Sequence, residues 1–336
     1  MLEALLRQKY GFHLNTAKKS AVGAGSDTWF LDCQEGMFVL KFPATSAINH
    51  PESEPELCAF LRKNGVPACD FVKNREGKCI SADRSGQVFT VQRYLSGQTL
   101  EWNTASETIL LESAELLGKI HLVLQDYPAL PEGIGANFFA QMTPAHALES
   151  YQRSYETAKR LGDKQSAEEL EWRITLVEHV PAQQFDLSKL TRRNTHGDYF
   201  ISQLLCEHGH LSSVIDWTTA CVHPVIWEIM RSFVYGAPCC ANGEIDPQLL
   251  ERYIAAYCRY GTLNGYDLEK LYQLYDYQIA VCDYYGQYYA SKADNREIYL
   301  KQAQHATKLL KRRNQHIEIM GNVHDGRRFL WIERKS

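Results

Sequence analysis

The chain holds ten cysteines, yet no two form a C-x-x-C pair and their spacing is irregular. That gives no sequence basis for a structural zinc site or a disulfide framework, and the thiols read as reduced and mostly buried in a cytoplasmic protein. Cys239 and Cys240 are neighbours and poorly placed to bridge each other. No apolar run approaches the roughly twenty residues that a membrane span needs. The opening "MLEALLRQKYGF" lacks a long apolar core and a cleavage site, so it does not read as a signal peptide. Positive charge is not in excess: the net charge is −4, so neither nucleic acid nor a membrane surface is expected as a partner. The basic residues near the end (Lys308, Lys311, Arg312, Arg313, Arg327, Arg328, Arg334 and Lys335) read as a solvated helix end and tail. There is no G-K-[S/T], which excludes a Walker A nucleotide site, and no internal repeat.

What is present changes character near residues 95–100. Before that point the chain reads as about five strands around one helix. "TAKKSAVGAGSDTWFLDC" is a strand, a Gly/Ser turn and a strand, and "QEG" turns the chain into "MFVLKF". "PESEPELCAFLRKNG" has acids in its first turn, apolar residues on one face and Gly65 as a stop, which is a helix pattern. "VPACDFVKN" and "CISADRSGQVFTVQRYL" read as further strands. After "SGQTL" the apolar spacing becomes helical, first in "SETILLESAELLGKIHLVLQ" and then through residues 146–180 and 224–314. Residues 202–216 interrupt this with a hairpin: "SQLLC", the turn "EHGH", then "LSSVID". The division expected is a β-rich lobe over residues 1–95 and a larger helical lobe over 96–336, with a ligand cleft between them.

The chemistry centres on "NTHGDYFISQLL". Asp198 precedes the hairpin and Asp216, in "VIDW", ends it, so the returning chain can bring two carboxylates to one end. Gln203 lies near the same end. Two acids and an amide oxygen are hard donors of the kind Mg2+ takes, with water and phosphate completing its octahedron.

H-G-D-x-x-x-x-[N/Q] followed by I-D-W resembles the aminoglycoside phosphotransferase and choline kinase superfamily, relatives of the protein kinases. The resemblance implies an α+β, bilobal protein-kinase-like fold with a small β-rich N-lobe, a mainly helical C-lobe and a catalytic hairpin. It implies transfer of the γ-phosphoryl group of ATP (or GTP) to a hydroxyl of a small molecule, with Mg2+, by a monomer or homodimer. Asp198 would be the catalytic aspartate and His196 would hold its loop. Asp216 and Gln203 would be the metal ligands. Lys41 in "FVLKF" would hold the α/β-phosphates, steadied by an acid on the following helix. Glu54 is favoured for that place, with Glu52 and Glu56 as rivals. Gly23, Gly25 and Ser26 would approach the phosphates through backbone N–H groups, and the backbone of Arg93, Tyr94 and Leu95 would meet the adenine edge.

The family's usual residue at position 203 is asparagine. Glutamine keeps the amide oxygen but moves it outward by about one bond length. Three consequences are open: a shifted ligand, altered metal use, or a nucleotide-binding pseudokinase with a structural or regulatory role. Glu228 and Arg231 read as a polar helix face that holds the catalytic segment and can pair at i, i+3. Seven tyrosines between Tyr272 and Tyr289 read mainly as core, with one or two lining an acceptor site near Asp276 and Asp283. The motifs do not select an acceptor.

Overall fold

The computed structural model describes residues 2–20, 26–43, 52–181, 185–292 and 296–316, with Ser26 defined by its backbone. Its helices are α1 (Leu2–Lys9), α2 (Ser53–Lys63), α3 (Glu107–Val123), α4 (Ala136–Gln141), α5 (Pro144–Leu161) and α6 (Lys164–Glu178). They continue with α7 (Val225–Gly236), α8 (Pro247–Tyr257), α9 (Gly265–Val281), α10 (Tyr284–Ala290) and α11 (Glu297–Lys311). The strands are β1 (Leu14–Lys19), β2 (Ser26–Cys33), β3 (Gly36–Pro43), β4 (Ile80–Ala82) and β5 (Val88–Arg93). Later in the chain come β6 (Arg192–Thr195), β7 (Leu204–Glu207), β8 (His210–Val214) and β9 (Cys221–Pro224).

Contacts divide the chain into two units. The first is Met1–Thr99 with Gln203–Ala220, and the second is Leu100–Ser202 with Cys221–Ser336. One boundary at 95/96 therefore does not describe the chain, because the hairpin β7–β8 belongs to the first unit. The reason is a backbone ladder: Gln98 and Cys206 exchange both N–H···O bonds at 2.9 Å, and Val214 N–H donates to the Pro67 carbonyl.

The first unit is built on a five-stranded antiparallel sheet of order β1-β2-β3-β5-β4. Alternation decides its faces. Phe38 and Leu40 of β3 join Leu31, Cys33, Phe89 and Val91 in the core, and Leu6 of α1 packs there too. Burying each such side chain contributes about 1.5–3 kcal/mol. Lys41, next along β3, therefore lies on the opposite face. The expected strand "VPACDFVKN" does not form. Pro67 offers no N–H, and the segment divides its pairing between single bridges, Ala68 to Val214 and Phe71 to Gln92, so no ladder can extend.

The second unit is helical around the short pair β6–β9. Its helices start where caps allow: the side chains of Ser106, Thr143, Asp163 and Asp246 each accept a backbone N–H from the first turn, and Asn264 and Asp267 form a capping box. Every residue of α7 is buried. Buried Arg173 ties α5, α6, α9 and α11 together through Tyr151 Oη, Thr307 Oγ1 and the carbonyls of Ile279 and Ala303. Tyr272, Tyr275, Tyr277 and Tyr285 are core residues. Among the described residues no helix is long and apolar enough to cross a membrane.

Candidate active site

The phosphate-side residues of the sequence reading fall in the first unit. Asp216 follows the end of β8. Leu204 pairs with Val214, and one residue beyond that pair Ile215 N–H donates to the Gln203 carbonyl at 2.9 Å. The hairpin register thus sets Gln203 beside the strand end that carries Asp216. Asp216 itself has φ of 63°, a left-handed conformation that costs a non-glycine residue on the order of 1 kcal/mol and clusters at functional sites.

Lys41 Nζ lies 2.9 Å from Asp216 Oδ1, and Thr218 Oγ1 donates to the same oxygen at 2.9 Å. Burial works against a charged lysine here. The carboxylates of Asp216 and Glu54 outweigh it and hold the lysine's pKa above its ordinary value. Glu54 was expected to pair with Lys41 directly. Instead Glu54 Oε1 accepts the Trp217 N–H at 3.1 Å, and the glutamate acts on Lys41 as a nearby charge. The lysine's closest partner is Asp216 because the turn after β8 presents that carboxylate to the outer face of β3. Burial raises the Glu54 carboxyl, with Lys41 opposing that shift.

Asp216 and Gln203 offer a carboxylate and an amide oxygen. Among the described residues no group of three or more His, Cys, Asp or Glu side chains could hold a metal ion. This donor set fits a cation that completes its shell with phosphate and water, as Mg2+ does, better than one that needs a full protein cage.

At the end of the sheet, Arg93 N–H donates to the Asp70 carbonyl at 2.8 Å and Tyr94 N–H to Met37 at 3.1 Å. The N–H groups of both residues are thus engaged within the unit. The ring of Tyr94 is partly exposed and meets Phe30 edge-on. Gly23 and Gly25 lie outside the described residues, as does the side chain of Ser26.

The H-G-D segment lies in the second unit, directly after β6. Gly197 has φ of 81°, a conformation that glycine adopts without penalty, and the turn aims backbone N–H groups at α7. Glu228 Oε1 receives them, from Gly197 at 2.7 Å and from Tyr199 at 3.4 Å. Its other oxygen lies 2.9 Å from His121 Nε2. Tyr257 Oη bonds the second nitrogen of that ring. Glu228 is fully buried. Burial alone would raise its pKa, but the His121 contact and the charges of His121, His196 and His223 pull it below the ordinary value.

His196 is fully buried, and its Nδ1 accepts the Asp198 N–H at 3.3 Å. Asp198 is paired with Arg231, whose Nε donates to Oδ1 at 2.9 Å. Glu228 and Arg231 thus both bond the H-G-D segment, and not each other, although i, i+3 spacing allowed that contact. They are three residues apart, but each turns to a different part of the same loop. His121 carried no signal in the sequence: a histidine in an apolar helix reads as core, and its role depends on what α7 brings against α3.

Of the two acids in the tyrosine region, one is already paired with a cation. Asp276 pairs with Arg313 at 2.7 Å, and Asp283 accepts the Ser150 hydroxyl.

The family model described as "Phosphotransferase enzyme family" matches residues 16–272. No curated protein matches the sequence. Among solved structures, the chain is similar to amicoumacin kinase in complex with AMP-PNP, Ca2+ and Ami, at 12% identity and a TM-score of 0.62, over 91% of this chain and 92% of that one. It is similar to the microcompartment-associated aminopropanol kinase at 13% identity and a TM-score of 0.61, over 95% and 98%. Spectinomycin phosphotransferase, solved with ADP and spectinomycin, matches at 15% identity and a TM-score of 0.59, over 91% and 93%. At these identities the likeness is one of fold, and the fold they share is the protein-kinase-like one.

Proposed function

This chain belongs to the phosphotransferase enzyme family, and we propose that it transfers the γ-phosphoryl group of a purine nucleoside triphosphate, ATP or GTP, to a hydroxyl of a small molecule. The observation that carries this reading is the Lys41–Asp216 pair at 2.9 Å. It unites a sheet lysine and a post-hairpin aspartate that are 175 residues apart in the chain, the two groups a nucleotide kinase needs at its phosphates.

Lys41 would orient the α/β-phosphates and stays charged at neutral pH. Asp216 and Gln203 would hold Mg2+, which supplies charge neutralisation at the phosphates. The backbone of Leu95 and the carbonyls of Arg93 and Tyr94 would receive the nucleobase, since the N–H groups of the latter two are spent. Asp198 would accept a hydrogen bond from the acceptor hydroxyl and take its proton late. Phosphoryl transfer has a loose transition state, so placing the hydroxyl matters more than base strength. Glu228, through the N–H groups of Gly197 and Tyr199, would keep the loop in shape.

Asp198→Asn tests the assignment. Turnover of Mg-ATP should fall by about three orders of magnitude or more while nucleotide affinity changes little. Turnover close to the unsubstituted rate would remove Asp198 from the reaction.

A further inference from the structure

Trp227, Arg231 and Tyr235 are spaced four apart on α7 and so share one face of the helix. The Arg231 guanidinium lies 4.8 Å from the Phe200 ring centroid, 5.0 Å from that of Tyr235 and 5.5 Å from that of Trp227. Its side chain is 5% exposed. Nε and Nη2 both donate to Asp198 Oδ1. Phe200 and Asp198 belong to the same loop, two residues apart. The arginine therefore grips the loop twice, by charge at Asp198 and by ring contact at Phe200.

A buried guanidinium is expensive, and a hydrophobe of similar length would fill the same space without the desolvation cost. A guanidinium holds a carboxylate through fixed, directional bonds that neither a hydrophobe nor a lysine reproduces. We propose that Arg231 is a positioning residue for phosphoryl transfer: it locks the Asp198 side chain in one rotamer and neutralises its charge, so that Asp198 aligns the acceptor hydroxyl instead of acting as a strong base. This rests on the role given to Asp198 under Proposed function.

The titratable groups near the pair in this unit are Cys221 and His223 on β9, Tyr235 on α7, Tyr275 on α9, Tyr284 on α10 and His305 on α11, together with His196 and Glu228. Burial lowers His223 and His305 to about 4, so both rings are neutral near pH 7. Burial pushes the Cys221 thiol up to about 12 and raises the Tyr235, Tyr275 and Tyr284 phenols, so these stay neutral near pH 7. Glu228 is committed to His121 and the loop N–H groups. Arg231 supplies a fixed positive charge in direct contact with Asp198.

The test compares Arg231→Lys, Arg231→Met and Asp198→Asn with the unsubstituted chain. Two readouts are taken on protein shown to be folded by its thermal transition. One is the carboxyl 13C line of Asp198 in aspartate-labelled protein at pH 7, identified as the signal lost in D198N. The other is ADP release from Mg-ATP with water as acceptor. Arg231→Met should shift and broaden that line, because the carboxylate is no longer held in one rotamer, and lower turnover by about tenfold or more, with nucleotide affinity kept. Arg231→Lys should restore only part of the turnover, because the pair of directional hydrogen bonds is gone. An Asp198 line unchanged in folded R231M overturns the proposal. Should R231M not fold, R231K turning over at the unsubstituted rate overturns it. The spectrum needs no acceptor and no turnover, so it decides even in a protein that hydrolyses nothing. If D198N turns over normally, the catalytic reading of Asp198 fails instead. If D198N is inactive and both arginine variants are fully active, only the role of Arg231 fails.

Discussion

Lys41 Nζ and Asp216 Oδ1 are 2.9 Å apart, and the aspartate that holds the lysine sits in a left-handed backbone conformation. Asp216→Asn keeps a residue that tolerates this conformation while removing the charge that partners a largely buried lysine. It should destabilise the protein by about 1–3 kcal/mol, read as a lower urea midpoint, and weaken Mg-nucleotide binding. Metal dependence that stays the same would count against Asp216 as a ligand.

Glu228 serves two loop N–H groups and His121 at once. Glu228→Ala should strand all three and cost about 3 kcal/mol or more. His121→Phe leaves the loop contacts in place but takes away the partner that keeps Glu228 ionised. Its turnover should decline toward low pH earlier than that of the unsubstituted chain. Superimposable pH profiles would show that the histidine does not govern the glutamate.

His223 bears on acid stability. Burial lowers its pKa to about 4 from an ordinary 6.5, and its Nδ1 accepts the Ile134 N–H at 2.9 Å, a bond that the protonated ring cannot accept. His305 is likewise lowered by burial to about 4. A lowered histidine pKa means that the unfolded chain binds more protons between pH 6.5 and 4. Stability should therefore be full above 6.5 and be lost as pH falls through that window. At pH 5 the loss is on the order of 2 kcal/mol per histidine. Urea midpoints at pH 7 and pH 5 measure it, and His223→Gln should flatten the dependence. An equal slope in that variant would exclude His223 as a source.

Gln203 sits at the hairpin end with its carbonyl bonded to Ile215, so its backbone position does not depend on its side chain. Gln203→Asn should leave the melting temperature within about 2 °C and shift the preference between Mg2+ and Mn2+ in turnover. If neither activity nor metal preference changes, the side chain is not a ligand.

The strands around Lys41, the helix after it, and the hairpin from Gln203 to Asp216 were legible in the sequence because each follows local rules. Alternation buries Phe38 and Leu40 and turns Lys41 outward, and "EHGH" is a turn by composition. "VPACDFVKN" misled because its apolar content looks like a strand, while Pro67 and two competing partners prevent a ladder. The tyrosine-rich stretch read as core with some site lining, and four of its tyrosines are core. Of its two acids, Asp276 is paired with Arg313, which no spacing rule shows.

What the sequence determined by itself was chemistry and order: a lysine on a strand, an H-G-D turn, a hairpin and an aspartate at its end, since periodicity and turn composition are properties of neighbouring residues. Tertiary structure alone decided the partners. Lys41 pairs with Asp216 and not with Glu54, Glu54 caps the turn at Trp217, Arg231 takes Asp198, and His121 reaches Glu228 from α3. These pairings join residues 33 to 175 positions apart, and a buried charge takes the nearest opposite charge that the packed backbone presents, a choice made only when the elements have assembled.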